Sequence, residues 1–265
     1  MFFNAEENKL NLTGLQMDYI AFGKGGKPLV MIQGLNTRGI KGTSKLLAYT
    51  YRIFAKDYRV YLFDRRAGIY DGITVRDFAA DTAMAMDALN IKKADVFGVS
   101  QGGMIGQYLA IDRPDLVNKL ALAVTLSKNN DTVTNVINHW IDAAKRGDMK
   151  HLVSDMAEKM YSKKYLKRYR ILMPLLTVLQ KPEDANRFIA LAKSCLTCNT
   201  YYMLNNVRCP VFVIGGGQDK VAGIGSSEEI ADKLGCKRYI YKELGHAAYQ
   251  EAKDFNKRVY NFFKE

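Results

Sequence analysis

Of the eight serines in this chain of 265 residues, one has glycine two positions away on each side: Gly98-Val99-Ser100-Gln101-Gly102. Glycine is 21 of 265 residues, so chance would give roughly 0.05 such serines. The apolar run 94–99 before it reads as a strand, and 103–111 after it as a helix that stops near Pro114. Glycines in that setting let the chain turn sharply and lift the serine Oγ above the sheet edge, where a nucleophile must stand. A serine at its free pKa attacks poorly; it needs a base, and the base needs a carboxylate to orient it. His139 and His151 lie in a helical stretch, where a solvated or locally packed ring is expected. His246, in Leu244-Gly245-His246-Ala247-Ala248, follows the last strand. Gly215-Gly216-Gly217-Gln218-Asp219 follows the strand 210–214 and delivers Asp219 to the same edge. Asp131, after the strand 120–125, is the rival acid and the less favoured one. Ser100, Asp219 and His246 each follow a strand end, where open parallel sheets place their sites.

The elements that must position them alternate. Strand patterns at 15–22, 28–33, 59–63, 94–99 and 120–125 are separated by helical patterns at 43–56, 75–89 and 103–111. That repetition predicts right-handed βαβ units and a mostly parallel sheet flanked by helices. From 127 to 205 the patterns are helical, with no buried strand. A strand at 210–214, a helix at 227–234, a strand at 239–242 and a closing helix at 255–263 then follow. The expected organisation is a core of residues 1–126 and 206–265, with a helical insertion of residues 127–205, a size that a surface connection tolerates.

With these pieces in place, the chain resembles a cap-bearing serine hydrolase of the α/β-hydrolase fold over nearly its whole length. The resemblance rests on Gln33-Gly34-Leu35-Asn36, Asp64-Arg65-Arg66-Ala67-Gly68, the turn around Ser100, Gly216-Gly217-Gln218-Asp219 and Gly245-His246. It implies an oxyanion hole made by the backbone N–H groups of Leu35 and Gln101, each supplying roughly 3 kcal/mol to the transition state. Only those backbones are expected to matter. It also implies that 127–205 is a cap roofing the site. Two segments depart from the family pattern: the oxyanion turn begins Gln-Gly instead of His-Gly, and Ala67 and Ile69 stand where the common D-x-R-G-x-G has glycines. Residues 64–68 read as a structural turn without a catalytic role. The implied chemistry is cleavage of a carboxylic ester, thioester or lactone through an acyl-enzyme. Carbon–carbon bond hydrolysis and perhydrolase chemistry use the same constellation, and some proteins of this kind keep the triad yet serve as ligand receptors with negligible turnover. A serine nucleophile counts against the dehalogenases and epoxide hydrolases of this fold, which attack with aspartate.

The composition fits a globular chain: 48% hydrophobic, 25% charged and 11% aromatic with five prolines, which excludes disordered and low-complexity classes. No apolar run approaches the ~18 residues of a membrane-spanning helix, and the N-terminal residues show no signal-peptide pattern, so the expectation is a cytoplasmic protein. Four cysteines are too few for a disulfide framework. Cys195 and Cys198 form a C-x-x-C without a second pair or neighbouring histidines, so no metal or other cofactor is expected and the thiols read as buried or incidental. The net charge is +12, yet no nucleic-acid-binding signature accompanies it. Residues 127–205 hold thirteen Lys and Arg against seven Asp and Glu, a difference of +6, densest at 163–170 and followed at once by an apolar stretch. A solvated helix face explains most such runs. The sharper expectation is a cap that recruits an anionic acyl carrier, with Leu172, Met173, Leu175 and Leu176 lining an acyl tunnel for the small-molecule substrate.

Overall fold

Alternate residues of a strand face opposite sides of its sheet, and in the central strands of this chain both sides are apolar. Val30 and Ile32, Val96, Leu120 and Leu122, and Val213 pack into one buried layer. Their neighbours Leu29 and Met31, Phe97 and Val99, Ala121 and Ala123, and Phe212 and Ile214 pack into the other. A sheet buried on both faces needs helices on both faces, and the chain supplies them.

The computed structural model describes residues 3–170 and 182–265. Among them, β1 (Glu6–Leu12), β2 (Leu15–Phe22), β3 (Lys27–Ile32), β4 (Tyr58–Arg66), β5 (Ala94–Val99), β6 (Val117–Ala123), β7 (Val211–Gly216) and β8 (Lys237–Tyr241) form one sheet in the order β1-β2-β4-β3-β5-β6-β7-β8. From β4 across to β8 every pairing is parallel; β1–β2 and β2–β4 are antiparallel. The helices are α1 (Ser44–Thr50), α2 (Val75–Ala88), α3 (Gln101–Asp112), α4 (Asp131–Lys145), α5 (Met149–Met160), α6 (Lys163–Tyr169), α7 (Ala185–Cys195), α8 (Ser226–Leu234), α9 (Ala248–Glu251) and α10 (Phe255–Lys264). Buried residues of α2, α3 and α8, such as Phe78, Ile105 and Ile230, cover the first face. Those of α1, α9 and α10, such as Ala48, Ala248 and Val259, cover the second.

The predicted α/β architecture with a mostly parallel sheet is present, and three local features differ from expectation. β1 is an added antiparallel edge strand whose only buried residue is Leu10, so its sequence carries no strand-like apolar alternation. The helix expected over 43–56 ends at Thr50. Beyond it, i→i+3 bonds from the Phe54, Ala55 and Asp57 N–H groups tighten the chain and drive Phe54 into the core. Residues 64–68 are only partly a turn: Asp64, Arg65 and Arg66 complete β4. Helix α3 ends as expected, with Arg113 out of the helical region (φ −133°, ψ 61°) because the ring of Pro114 disfavours helix at the residue before it.

The turn between β5 and α3 sets the local constraint. Ser100 takes φ 54°, ψ −119°, a conformation that costs on the order of 1–3 kcal/mol for a residue with a side chain. Its N–H donates to the Ala123 carbonyl (2.8 Å), and its carbonyl accepts from Gly103 N (2.8 Å), Met104 N (3.2 Å) and Thr125 Oγ1 (2.7 Å). The turn closes because Gly98 and Gly102 lack Cβ atoms. A Cβ at Gly102 would stand 1.9 Å from the Ile32 carbonyl oxygen, and one at Gly98 2.4 Å from the Gly102 carbonyl oxygen.

Gly102→Ala is therefore expected to cost more than about 3 kcal/mol of folding stability, because backbone on both sides must move. Gly26→Ala, whose Cβ would meet nothing within 4 Å, should stay within about 0.5 kcal/mol. Urea denaturation of the two variants measures the contrast; equal midpoints would refute the close-packing account of the turn.

Candidate active site

The three side chains brought to the carboxyl edge of the sheet are in mutual contact. His246 Nε2 lies 2.9 Å from Ser100 Oγ, and His246 Nδ1 lies 2.8 Å from Asp219 Oδ2. Asp219 Oδ1 accepts the Val221 and Ala222 N–H groups, both at 2.8 Å, which fixes the carboxylate plane before it meets the imidazole. A carboxylate can only accept, so Nδ1 carries the ring proton and Nε2 is left to accept from the serine hydroxyl. The Asp219 and His246 side chains are each only 4% exposed, so little water competes for these bonds. Asp131, the rival acid, is exposed at the first position of α4, and His246 takes Asp219 as its partner.

Short, strand-anchored loops carry these groups. Ser100 stands between β5 and α3, Asp219 just beyond β7, and His246 between β8 and α9. The Ala247 N–H donates to the Met160 carbonyl at the end of α5 (2.8 Å), tying the histidine loop to the helices inserted between β6 and β7. Ser162 adds a second tie: its N–H donates to Glu251 Oε1 (2.8 Å). The inserted segment leaves and rejoins the sheet at one neck, where the Ser127 carbonyl accepts from Thr200 N (2.7 Å) and Tyr201 N (3.1 Å).

The N–H groups of Leu35 and Gln101, named above as oxyanion donors, have no hydrogen-bond acceptor among the described residues and are free to receive one. The Gln101 side chain, expected to be immaterial, is instead tightly engaged. It is fully buried; its Nε2 donates to the Leu191 carbonyl (2.8 Å) and Ser194 Oγ (3.0 Å) of α7, and its Oε1 accepts Arg65 Nε (3.2 Å) and Nη2 (3.0 Å). Arg65 also donates to the Gln33 carbonyl (2.6 Å), so one guanidinium braces the loop of Leu35 and the turn of Gln101 together. Burial draws this guanidinium down to about 10, and the neighbouring Asp64 opposes that shift. Asp64 in turn accepts the Ile40 N–H (3.0 Å) and pairs with Arg187 of α7 (3.3 Å). Residues 64–65 are thus a polar brace under the site, a role that the turn reading missed. The available signal was three ionic residues, Asp64, Arg65 and Arg66, directly following the apolar strand run 60–63, where an unpaired charge cannot be buried.

A small cavity of about 40 Å³ surrounds the Ser100 hydroxyl. Among the described residues its walls are largely apolar, including Met104, Ile137, Trp140, Met156 and Val221. Cys195 also borders it, and burial raises its thiol to about 12, so the thiol stays protonated at neutral pH. All four cysteines are free. His139 and His151 pack against each other, Nε2 to Nε2 3.0 Å apart, on α4 and α5. Among the described residues, no group of three or more His, Cys, Asp or Glu could hold a metal ion. None of their helices is long and apolar enough to cross a membrane. The acyl-tunnel positions Leu172, Met173, Leu175 and Leu176 lie outside the described residues.

Residues 27–172, which hold the sheet strands β3 to β6 and the turn at Ser100, match the family described as alpha/beta hydrolase fold, and the chain belongs to that family. Among individual proteins it is similar to a 2-hydroxy-6-oxononadienedioate/2-hydroxy-6-oxononatrienedioate hydrolase of a Pseudomonas species, at 24% identity over 184 residues. That match covers 67% of this chain and 65% of the hydrolase, so the chain spans just under two thirds of that relative's length. It is also 20% identical over 258 residues to 3-oxoadipate enol-lactonase 2 of Acinetobacter baylyi, covering 96% of this chain and 95% of that one. The crystal structure of an enol-lactonase from Burkholderia xenovorans superposes with a TM-score of 0.85 at 19% identity, over 97% of this chain and 100% of the other. At that identity the superposition shows the shared fold.

Gln101→Leu, close in volume to the native side chain, is expected to lower stability by about 2–4 kcal/mol, because it removes the acceptor of the buried Arg65 Nε and leaves that guanidinium only the Gln33 carbonyl. Chemical denaturation reads the loss; a change under about 0.5 kcal/mol would remove the brace from the account.

Proposed function

We propose that this protein is a serine hydrolase that cleaves a carboxylic ester, thioester or lactone through an acyl-enzyme. The observation that carries the reading is the unbroken chain of hydrogen bonds from Asp219 through His246 to the Ser100 hydroxyl, 2.8 Å and 2.9 Å long, at the mouth of a largely apolar cavity. As Oγ attacks the carbonyl carbon, its proton passes to His246 Nε2, and the carbonyl oxygen, now an oxyanion, is received by the Leu35 and Gln101 N–H groups. The bond from the carbonyl carbon to the departing oxygen or sulfur breaks, and His246 gives the proton to that atom. Water then gives up a proton to the same nitrogen while attacking the acyl-enzyme; Ser100 leaves with that proton and the acid is released. Asp219 holds the ring in the tautomer this requires and stabilises the imidazolium between steps.

Residues 127–205 act in this reading as a cap over the core of residues 1–126 and 206–265. Their connection to Gln101, Asp64 and the histidine loop supports that role. A lactone is an internal ester and meets the same machinery, and one relative carries the name enol-lactonase.

Ser100→Ala should abolish turnover of a panel of short-chain esters, thioesters and lactones while leaving the thermal unfolding curve intact. Asp219→Asn should lower kcat by on the order of 10⁴, whereas Asp131→Asn should leave it within about twofold. Burst and steady-state product release distinguish turnover from a receptor that reacts once; undiminished hydrolysis by Ser100→Ala would overturn the proposal.

A further inference from the structure

A second cavity, of about 610 Å³, lies beside the loop that carries Leu35, on the face of the sheet covered by α1, α9 and α10. Phe97 and Val99 are among its walls, and at its edge Leu46 and Tyr49 are 66% and 54% exposed, so it opens to solvent. Gly34, Leu35 and Tyr249 line both this groove and the cavity around Ser100. A Cβ at residue 34 would stand 3.1 Å from Ser100 Cβ, so the groove begins one residue from the nucleophile with no side chain at residue 34 between them. Two cations, Arg52 and Lys253, line it, and no carboxylate does among the described residues. Neither cation has an ion-pair partner among those residues. Arg52 is held at the rim, its guanidinium donating to the Tyr49 carbonyl (2.8 Å) and lying 4.2 Å from the centre of the Tyr49 ring. Tyr51 also lines the groove; its hydroxyl has no hydrogen-bond partner among the described residues, and burial holds it up at about 12, so it remains a donor.

We propose that this groove receives the leaving half of the substrate, and that this half carries a carboxylate bound by Lys253 and Arg52 with the Tyr51 hydroxyl as a further donor. The inference rests on the hydrolase reading of Ser100 and names the substrate class for that site: an ester of a short acyl group with a hydroxy acid. The division of labour follows from size and access. The cavity at Ser100 is small and largely apolar, which suits a short acyl group, whereas the departing alcohol needs an open path before water can take its place. When the carbonyl–oxygen bond breaks, His246 returns the serine proton to the leaving oxygen, and the hydroxy acid is released along the groove with its carboxylate still paired. Unpaired cations with no opposing acid favour an anion electrostatically, and salt screens that preference.

The test compares 4-acetoxybenzoate, whose leaving group is 4-hydroxybenzoate, with phenyl acetate. The ratio of their kcat/KM values should favour the anionic ester, and should fall by about threefold to fivefold in Lys253→Gln and again in Arg52→Gln. Raising the salt concentration should lower the same ratio. In Ser100→Ala, where no turnover intervenes, 4-hydroxybenzoate should bind by calorimetry, and the added Lys253→Gln substitution should weaken it by a similar factor. Serine-dependent hydrolysis of both esters, with a ratio that neither substitution nor salt changes, would overturn the groove assignment and leave the hydrolase reading standing. If neither ester is turned over, or if hydrolysis is undiminished in Ser100→Ala, calorimetry decides the groove, for or against, without the hydrolase reading.

Discussion

Ser100 is held at φ 54°, ψ −119°, and the carboxyl edge of the sheet is arranged around the cost of keeping it there. The neighbouring strand β6 supplies an acceptor for its N–H at Ala123, Thr125 just beyond that strand supplies a hydroxyl donor for its carbonyl, and the first turn of α3 bonds back to the same carbonyl. Immediately after Ala123, Val124 takes φ 44°, an unfavourable angle for a β-branched residue, so β6 bends away at the level where β5 does. Two adjacent strands thus end in strained residues that brace one another. Strain of this kind persists only where surrounding contacts determine the backbone; here glycines at 98 and 102 permit the approach and the two buried layers prevent relaxation.

The polar side chains beneath the site follow the same logic. Arg65, Asp64 and Gln101 are buried, which is costly for charged and amide groups unless each donor and acceptor is matched. They meet that condition by reaching three separate segments: the Gln33 carbonyl, the Ile40 N–H, and α7 through Leu191, Ser194 and Arg187. Few alternative packings satisfy all of them at once. The position of the proposed oxyanion donors is therefore set by a network that spans sheet, loop and inserted helix, although the donors themselves are backbone groups whose side chains play no direct part.

Much of this architecture was legible in the residues because the relevant signals are local. Continuous apolar runs marked β3, β5 and β7 as strands buried on both faces, and the sharp turn at Ser100 left its signature in two glycines at fixed spacing. The pairing of His246 with Asp219 followed from chain order relative to strand ends. What stayed hidden depends on distant partners. β1 has one buried residue and owes its conformation to pairing with β2. The helical pattern of 43–56 continues through Phe54, and only the need to enter β4 ends the helix at Thr50. Arg65 and the Gln101 side chain, 36 residues apart, gave no pattern linking them, since a buried hydrogen bond between remote residues has no periodicity to read.

The loop bearing His246 is bonded through Ala247 to the end of α5, and α9 is bonded through Glu251 to Ser162. The loop that bears the imidazole is thus fastened to a helix whose Met156 and Met160 line the cavity at Ser100. Any outward swing of α5 either snaps these ties or drags the imidazole from the serine oxygen.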